Sequence, residues 1–416
     1  MPDVLPDDAP AIRWVEEKMR EVFALFGYRE IETPVLEETE VFTRSIGEET
    51  DIVAKEMYSF TDRGGKQVSM RPEGTASVIR SYIEHSMHAD SEVVKLFYTG
   101  SMFRGERPQK GRLRQFHQVG AEIIGASDPY IDAELILSLD RALKGMGVEG
   151  FSILINSLGC GRDRASYKKA LSKYLKDKGE DLCDDCRRRT ETNVLRVLDC
   201  KRPECREVLK SAPSVIDSLC RECLGYYEEV KKVLSASDVN CEERPSLVRG
   251  LDYYTGTIFE VVHPSLGAQD AIAAGGRYDD LTKQMGGPDV SATGYAIGVE
   301  RLLLVIDRKN VPAAPSGVLV VPLGTEARMK AFNIAGELRS AGIPSEMATS
   351  DRSLKAHMRR ADKDKRRHVI IIGEDELTSG RFILKDMTEG TQEQITLDRI
   401  IEVLGTLYQL SRKVVI

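Results

Sequence analysis

The 416-residue chain has no run approaching the roughly 18 consecutive apolar residues that a membrane-spanning helix needs. Its beginning, with Asp3, Asp7 and Asp8 close together, lacks the basic stretch and following apolar stretch of a secretory signal. These two absences predict a cytoplasmic protein with no membrane partner. An excess of positive charge is missing as well. With 66 acidic against 59 basic side chains the formal charge is −7, which argues against general coating of nucleic acid but permits binding of one RNA through local patches. No internal repeat or low-complexity segment stands out, and the six histidines, His85 and His88 among them, form no metal-binding spacing. At 41% hydrophobic and 30% charged residues the composition is that of an ordinary globular protein, long enough to bury a substantial core in two or three domains.

What the chain does have is a crowd of cations between two strand-like runs. Leu96 to Phe103 is rich in aromatic and apolar residues, Gly105, Pro108 and Gly111 break the chain, and a second run extends from Gln115 to Ile124. This pattern predicts a long-looped hairpin with Arg104, Arg107, Lys110, Arg112 and Arg114 around its loop. Side chains alternate between the faces of a strand, so Gln118, Gly120 and Glu122 share one face while Val119, Ala121 and Ile123 point into a core. A polar face inside an apolar sheet reads as a binding floor for an anionic substrate. Taken alone, the segment also fits a solvated hairpin with surface arginines.

A helix is predicted from near Pro10, with Asp8 as its cap and Ile12, Val15, Met19, Val22 and Phe26 at helical spacing. A second, from Thr75 to about His85, places Glu73 and Thr75 at its N-terminal edge beside the strands. Residues 1–159 and 241–309 read as one domain interrupted by a helical, charged, cysteine-rich insertion over 160–240, between strands that carry Asn156 and Arg249. The proline and small residues of 310–317 read as a linker. Beyond it, a strand at Val318 to Pro322, a helix at Ala327 to Ser340 and a strand at Val369 to Ile372 predict a small α/β domain over 318–416. Within that domain Leu354, His357, Met358 and Ala361 form one helical face, with Arg352, Lys355, Arg359, Lys363 and Arg366 as a basic stripe roughly opposite. Such a stripe suits either a phosphate backbone or solvent.

The segment from Phe103 to Glu122 resembles motif 2 of the class II aminoacyl-tRNA synthetases, and within that class the likeness is to histidyl-tRNA synthetases. It extends through Gly27 to Pro34, which is similar to motif 1, and through Arg71-Pro72-Glu73-Gly74-Thr75. Further on it takes in Arg249-Gly250-Leu251-Asp252-Tyr253-Tyr254, Ala274-Gly275-Gly276-Arg277-Tyr278-Asp279 and Gly294 to Arg301, the last similar to motif 3. The resemblance implies an α+β fold in which an antiparallel class II catalytic sheet is flanked by helices, with a helical insertion and a C-terminal α/β anticodon-binding domain. It also implies a homodimer through motif 1, L-histidine, ATP and tRNA(His) as partners, and a ligase that makes histidyl-adenylate before charging the tRNA.

The chemistry brings two anions together, so arginines fit it: guanidinium is always charged and meets phosphate or carboxylate as a planar fork. By resemblance Arg104 holds the α-phosphate of ATP, Arg301 the γ-phosphate, and Arg249 bridges the histidine carboxylate and the α-phosphate, with Arg112 and Gly276 also at the nucleotide. Salt bridges of these arginines to Glu106, Glu300 or Asp252 are the structural alternative. Glu73, Thr75 and Gln118 are expected at the histidine ammonium, Glu122 and Tyr254 at the imidazole nitrogens, and Tyr253 and Tyr278 in the pocket wall. Magnesium is expected to come with the phosphates. Arg107, Gln109 and Lys110 are candidates for the tRNA acceptor end, and Arg352, Lys355 and Arg359 for the anticodon arm. Arg187, Arg188 and Arg189 of the insertion read equally as a contact to tRNA and as a solvated helix face.

Cys183-x2-Cys186, Cys200-x4-Cys205 and Cys220-x2-Cys223 are paired at spacings that suit tetrahedral zinc. Zinc uses four ligands, so these six thiols leave two spare or share a cluster, and free thiols remain the alternative. The start at Met1-Pro2-Asp3 departs from the family, which by resemblance carries a few more residues there with a basic-glycine pair near the active site; either the start is short or the sequence is trimmed. A non-catalytic relative that regulates ATP phosphoribosyltransferase, an RNA-sensing pseudo-synthetase and a zinc-dependent nucleic-acid-binding protein are the rival readings. The presence of Arg104, Arg249, Arg301 and the region after Val318 speaks against the first.

Overall fold

A computed structural model describes residues 2–47, 50, 52–267, 270–312, 316–350 and 352–413. Met1, the linker positions 313–315 and the last three residues of the C-terminal domain lie outside the described residues. The chain divides into two units, one up to Val311 and one from Pro312.

The strands of the first unit are β1 (Arg29–Glu30), β2 (Leu36–Glu38), β3 (Ser59–Thr61), β4 (Gln67–Met70), β5 (Val94–Phe103), β6 (Gln115–Ile124), β7 (Ser152–Ser157), β8 (Cys241–Glu243), β9 (Thr255–Val262), β10 (Ala271–Arg277) and β11 (Ala292–Gly298). Eight of them form one sheet in the order β1-β5-β6-β11-β10-β9-β7-β8, and β2, β4 and β3 form a small one. The expected antiparallel sheet is present from β5 to β7, with a parallel strand added at each edge. The hairpin β5–β6 turns where predicted, with Phe103 opposite Gln115 across the loop, and β5 begins earlier than expected, at Val94.

Alternation gives this sheet two different faces. Val119, Ala121 and Ile123 point into a core with Phe97, Tyr295 and Ile297, covered by Val15, Met19 and Phe23 of the helix Ala9–Leu25 and by Leu135, Ile136 and Leu139 of the helix Pro129–Gly145. On the other face Tyr98, Tyr253, Tyr254 and Tyr278 pack with Val78, Ile79 and Tyr82 of the helix Thr75–Glu84. The Tyr98 ring lies between two glycines: a Cβ on Gly74 or on Gly120 would come within 2.3 Å of it. Glycine at both positions lets the helix N-terminus approach the hairpin closely.

Three details differ from expectation. Asp8 occupies the cap position of the first helix but its side chain makes no cap bond. Its backbone is helical rather than extended, and its carboxylate pairs with Arg308 at 3.1 Å instead. Arg249 sits on the loop between β8 and β9 and not on a strand. The insertion folds as the helices Gly161–Asp177, Asp184–Thr192, Pro203–Leu209 and Arg221–Ala236, but Tyr227, Val230 and Leu234 of the last one join the main core, so the expected boundary at 240 runs past a helix that the catalytic sheet shares.

The second unit has β12 (Val318–Pro322), β13 (Ser345–Met347), β14 (His368–Ile372), β15 (Phe382–Asp386) and β16 (Gln392–Ile395) in the order β13-β12-β14-β15-β16. The first three are parallel, which the helical crossovers between them allow, and β15 and β16 add an antiparallel hairpin that the sequence pattern did not reveal. On the helix Leu354–Lys363, His357 and Ala361 are buried, Met358 is partly buried and Leu354 is exposed, while Arg352, Lys355, Arg359 and Lys363 are exposed. Arg366 leaves the predicted stripe, because it is half-buried and bound to Glu346 and the Ser316 carbonyl.

Gly120→Ala should cost about 1–3 kcal/mol of stability, because the enclosed Tyr98 ring has to shift. Gly145→Ala, with nothing within 4 Å of the added methyl, should be neutral or stabilise by up to about 1 kcal/mol. Urea unfolding of both variants against the parent chain checks the contrast.

Candidate active site

A cavity of about 490 Å³ opens on the tyrosine-bearing face of the large sheet, between the β5–β6 loop, the Arg249–Tyr254 loop and the start of the helix Thr75–Glu84. Arg104, Arg112, Arg249 and Arg301 all line it. Arg104, one residue past the end of β5, donates its Nε to the Pro72 carbonyl at 2.8 Å and lies over the Phe116 ring at 5.4 Å, so its guanidinium is held in a fixed plane. Arg112 pairs with Glu106 at 2.9 Å. Arg249 pairs with Glu260 at 2.8 Å and faces the Tyr254 ring at 6.0 Å. Burial, with Arg112 nearby, lowers the pKa of Arg301 from its ordinary value. The anticipated partners Glu300 and Asp252 are engaged elsewhere: Glu300 accepts from the His117 backbone amide and binds its ring Nδ1 at 2.8 Å, and Asp252 accepts from Asn193. That hydrogen bond to Glu300 also raises the His117 pKa.

The floor is polar and nearly dry. Glu73 accepts the amides of Thr75 at 2.8 Å and Ala76 at 2.9 Å, the first free donors of their helix. Burial raises its pKa even so. Gln118 and Thr75 complete this wall, with Tyr253 and Tyr254 opposite. Glu122 lies just beneath, fully buried, accepting the Thr75 hydroxyl at 2.7 Å and the Tyr278 hydroxyl. Burial pushes its pKa up to about 8, although both hydroxyls oppose the shift. Tyr278 stands edge-on to Tyr253 at 5.5 Å and forms a second layer behind the cavity wall.

Two polar atoms at the cavity are buried without a hydrogen-bond partner among the described residues: the Nε donor of Arg249 and the Oε1 acceptor of Gln118. An orphaned buried polar group costs about 1–3 kcal/mol, so a ligand that presents a carboxylate to one and an ammonium to the other recovers that cost.

Gly276 does not reach the cavity wall. Its glycine is required by the sheet, because a Cβ there would lie 2.6 Å from the Thr257 carbonyl oxygen. Arg107, Gln109 and Lys110 are exposed on the β5–β6 loop, which a backbone bridge between Gln109 and Arg112 closes. Glu260 and Phe116, which fix two of the arginines, were absent from the sequence expectation. Phe116 was accessible to it, since alternation puts it on the face of Gln118, and so was Glu260, the one charged side chain of β9.

The six paired cysteines do not form one cluster. Cys183, Cys186, Cys200 and Cys205 bring their sulfurs within 4.8 Å of one another, whereas Cys220 and Cys223 gather with Cys160 and Asp163.

Comparison with known proteins places these motifs in context. The family model described as histidyl-tRNA synthetase matches residues 1–302, and that described as anticodon binding domain matches 317–407. The chain is 48% identical over 404 residues to a histidine–tRNA ligase of Syntrophotalea carbinolica, spanning 97% of this chain and 96% of that one. It is 47% identical to a histidine–tRNA ligase of Thermosipho melanesiensis, over 96% of each chain. Its fold is similar to the crystal structure of apo S. aureus histidyl-tRNA synthetase, with a TM-score of 0.80 and 34% identity over 97% of this chain and 98% of that one.

Glu122 makes a pH-dependent contribution to stability whose sign follows from its raised pKa. The folded chain holds a proton there up to about pH 8, whereas an unfolded carboxyl releases it near 4.5, so the contribution is complete below pH 4.5 and is lost as pH rises towards 8. The Tm of the ligand-free chain should therefore fall between pH 5 and 8, and Glu122→Gln should flatten that fall. Parallel curves for the two proteins would contradict the assignment.

Proposed function

Because the chain belongs to the histidyl-tRNA synthetase family, we propose that this cavity is where histidine meets ATP, and that the residues around it divide the reaction as follows. The reaction joins histidine to ATP as histidyl-adenylate with release of pyrophosphate, then passes histidine to the 3′ end of tRNA(His). The histidine carboxylate attacks the α-phosphorus in line, and no protein nucleophile is needed, so positioning and charge neutralisation are the work of the site. Arg249 holds the carboxylate against the α-phosphate through its unpaired Nε, while Glu260 keeps the guanidinium in place. Arg104, fixed on Phe116, meets the α-phosphate from the other side; Arg301 and Arg112 take the outer phosphates. Magnesium, bound through phosphate oxygens and water, adds further neutralisation, and no side chain is assigned to it.

Glu73, Thr75 and the orphaned oxygen of Gln118 receive the ammonium. The imidazole is read by Glu122 and Tyr254, with Tyr253 and Tyr278 enclosing it. The Thr75 and Tyr278 hydroxyls donate to Glu122, and an imidazole N–H takes the place of one of them. Apolar amino acids offer no such donor and gain nothing from the buried carboxyl, which is how a polar pocket disfavours them. The observation that carries this reading is the pair of orphaned atoms, one donor and one acceptor in one cavity, which matches the two ends of an amino acid.

The exposed loop residues Arg107, Gln109 and Lys110 meet the acceptor end of the tRNA, and Arg352, Lys355 and Arg359 its anticodon arm. The chain works as a cytoplasmic homodimer; the exposed Leu25, Val35 and Leu36, next to the motif 1 segment, supply apolar surface for the partner. Cys183, Cys186, Cys200 and Cys205 hold a structural zinc ion. Four mutually close thiols suit its tetrahedral preference, and the Cys183 amide donates to the Cys205 sulfur at 3.3 Å.

Arg249→Ala should lower histidine-dependent exchange of labelled pyrophosphate into ATP by about 10²–10³-fold. A loss of less than about threefold would remove Arg249 from the reacting centre. Lys355→Glu with Arg359→Glu should leave that exchange unchanged and raise the KM for tRNA roughly tenfold or more, with a reduced dependence on salt. An unchanged KM would make the stripe a solvated face.

A further inference from the structure

We propose that a zinc ion binds at the neck of the helical insertion, held by Cys160, Asp163, Cys220 and Cys223, as a site distinct from the four-cysteine group. One ligand atom from each of these residues lies within 4.8 Å of all the others. Tetrahedral zinc with bonds of about 2.3 Å to sulfur needs ligands about 3.8 Å apart, so small side-chain rotations close the shell. Three thiolates and one carboxylate match the preferences of zinc, and the sulfur content disfavours magnesium and calcium. The set shares no residue with Cys183, Cys186, Cys200 and Cys205, so neither group completes the other.

The backbone around the group is arranged for this. Cys160 and Cys220 are the N-cap residues of two long helices, Gly161–Asp177 and Arg221–Ala236, and both have extended backbone. Two long helices therefore begin at this group. Asp163 Oδ2 accepts the Cys160 amide at 3.3 Å, the kind of second hydrogen bond that orients a ligating carboxylate. Gly159, at φ +65°, leaves room for the group, since a Cβ there would lie 2.6 Å from both Asp163 Cβ and Leu219 Cδ2.

The position gives the ion a purpose. The chain leaves the main sheet after β7 through Gly159 and Cys160, and Cys220 opens the helix that brings it back. An ion bound here ties the two ends of the insertion together. The same neck braces the loop that carries Tyr253 and Tyr254: the Leu158 amide donates to the Gly256 carbonyl at 2.7 Å, the Gly256 amide donates to the Gly159 carbonyl at 3.0 Å, and Arg164 donates to the Tyr254 carbonyl at 2.7 Å. The assignment does not depend on the ligase reading.

The full-length chain, stripped of metal under reducing conditions and titrated with zinc, should saturate at two equivalents per chain. Cys160→Ser with Cys223→Ser should saturate at one, as should Cys183→Ser with Cys205→Ser, and Asp163→Ala should weaken one of the two equivalents at least tenfold. With cobalt as the probe, the thiolate charge-transfer band of the Cys160/Cys223 variant should keep only the contribution of the four-cysteine group. No zinc bound to the parent chain, or a single equivalent that survives Cys160→Ser with Cys223→Ser, would overturn the proposal, and the first of these outcomes needs no variant to fold. So would two equivalents that survive Cys160→Ser with Cys223→Ser, or an intact mass two hydrogens lighter, showing a disulfide within the group.

Discussion

The cavity depends on a carboxyl group kept away from water. Glu122 is fully buried in the middle of β6, and a carboxylate in that position is tolerated only with hydrogen-bond donors around it. Thr75 supplies one donor and Tyr278 the other, which fixes both the helix N-terminus and the tyrosine cluster over this face of the strand. The neighbouring strand makes room by omission: a Cβ on Gly294 would fall 1.6 Å from Glu122 Oε2. Glycine at 74, 120 and 294 and a carboxyl at 122 are thus one arrangement, and the apolar packing around them holds it together.

The rim is organised by charge. Arginines facing a common space repel one another, and the protein offsets this with single carboxylates at Glu106 and Glu260 and with stacking on Phe116 and Tyr254. The four guanidinium groups line the cavity together, and in the proposed reaction the anionic substrates share in the neutralisation. In the proposed reaction, cations preorganised in this way lose little on reorganising when charge develops, and so would favour the crowded arrangement of carboxylate and phosphate over the separated reactants.

Much of this was legible in the sequence, for physical reasons. Strict alternation from Gln115 to Ile124 leaves only one sheet face for Gln118 and Glu122, and the breakers Gly105, Pro108 and Gly111 leave only a hairpin between the strands. Local pattern was a poorer guide where a long-range partner decides. Asp8 abandons its cap for Arg308, 300 positions away, and Arg366 leaves the basic stripe for Glu346. Gly276 looked like a point of close approach to a ligand, but the strand beside it accounts for the glycine. Likewise the spacing of cysteine pairs could not reveal that Cys220 and Cys223 gather with Cys160 and Asp163, because the chain between them folds into helices that bring distant positions together. The β15–β16 hairpin was missed because β16 reads Gln-Glu-Gln-Ile and is largely exposed, leaving no apolar alternation to detect.

The central claim is that Glu122 reads the imidazole. The direct measurement is kcat/KM for histidine in the pyrophosphate exchange reaction, for the parent chain and Glu122→Gln, with circular dichroism confirming that both are folded. Glutamine fills the same space and can still accept a hydrogen bond, but it cannot give up a proton as the imidazole N–H arrives, and so never supplies the charge that strengthens the contact. The account predicts a loss of roughly 10–100-fold, the value of a charged hydrogen bond over a neutral one, carried mainly by KM. Activity within about twofold of the parent chain would make Glu122 a packing residue and contradict the account.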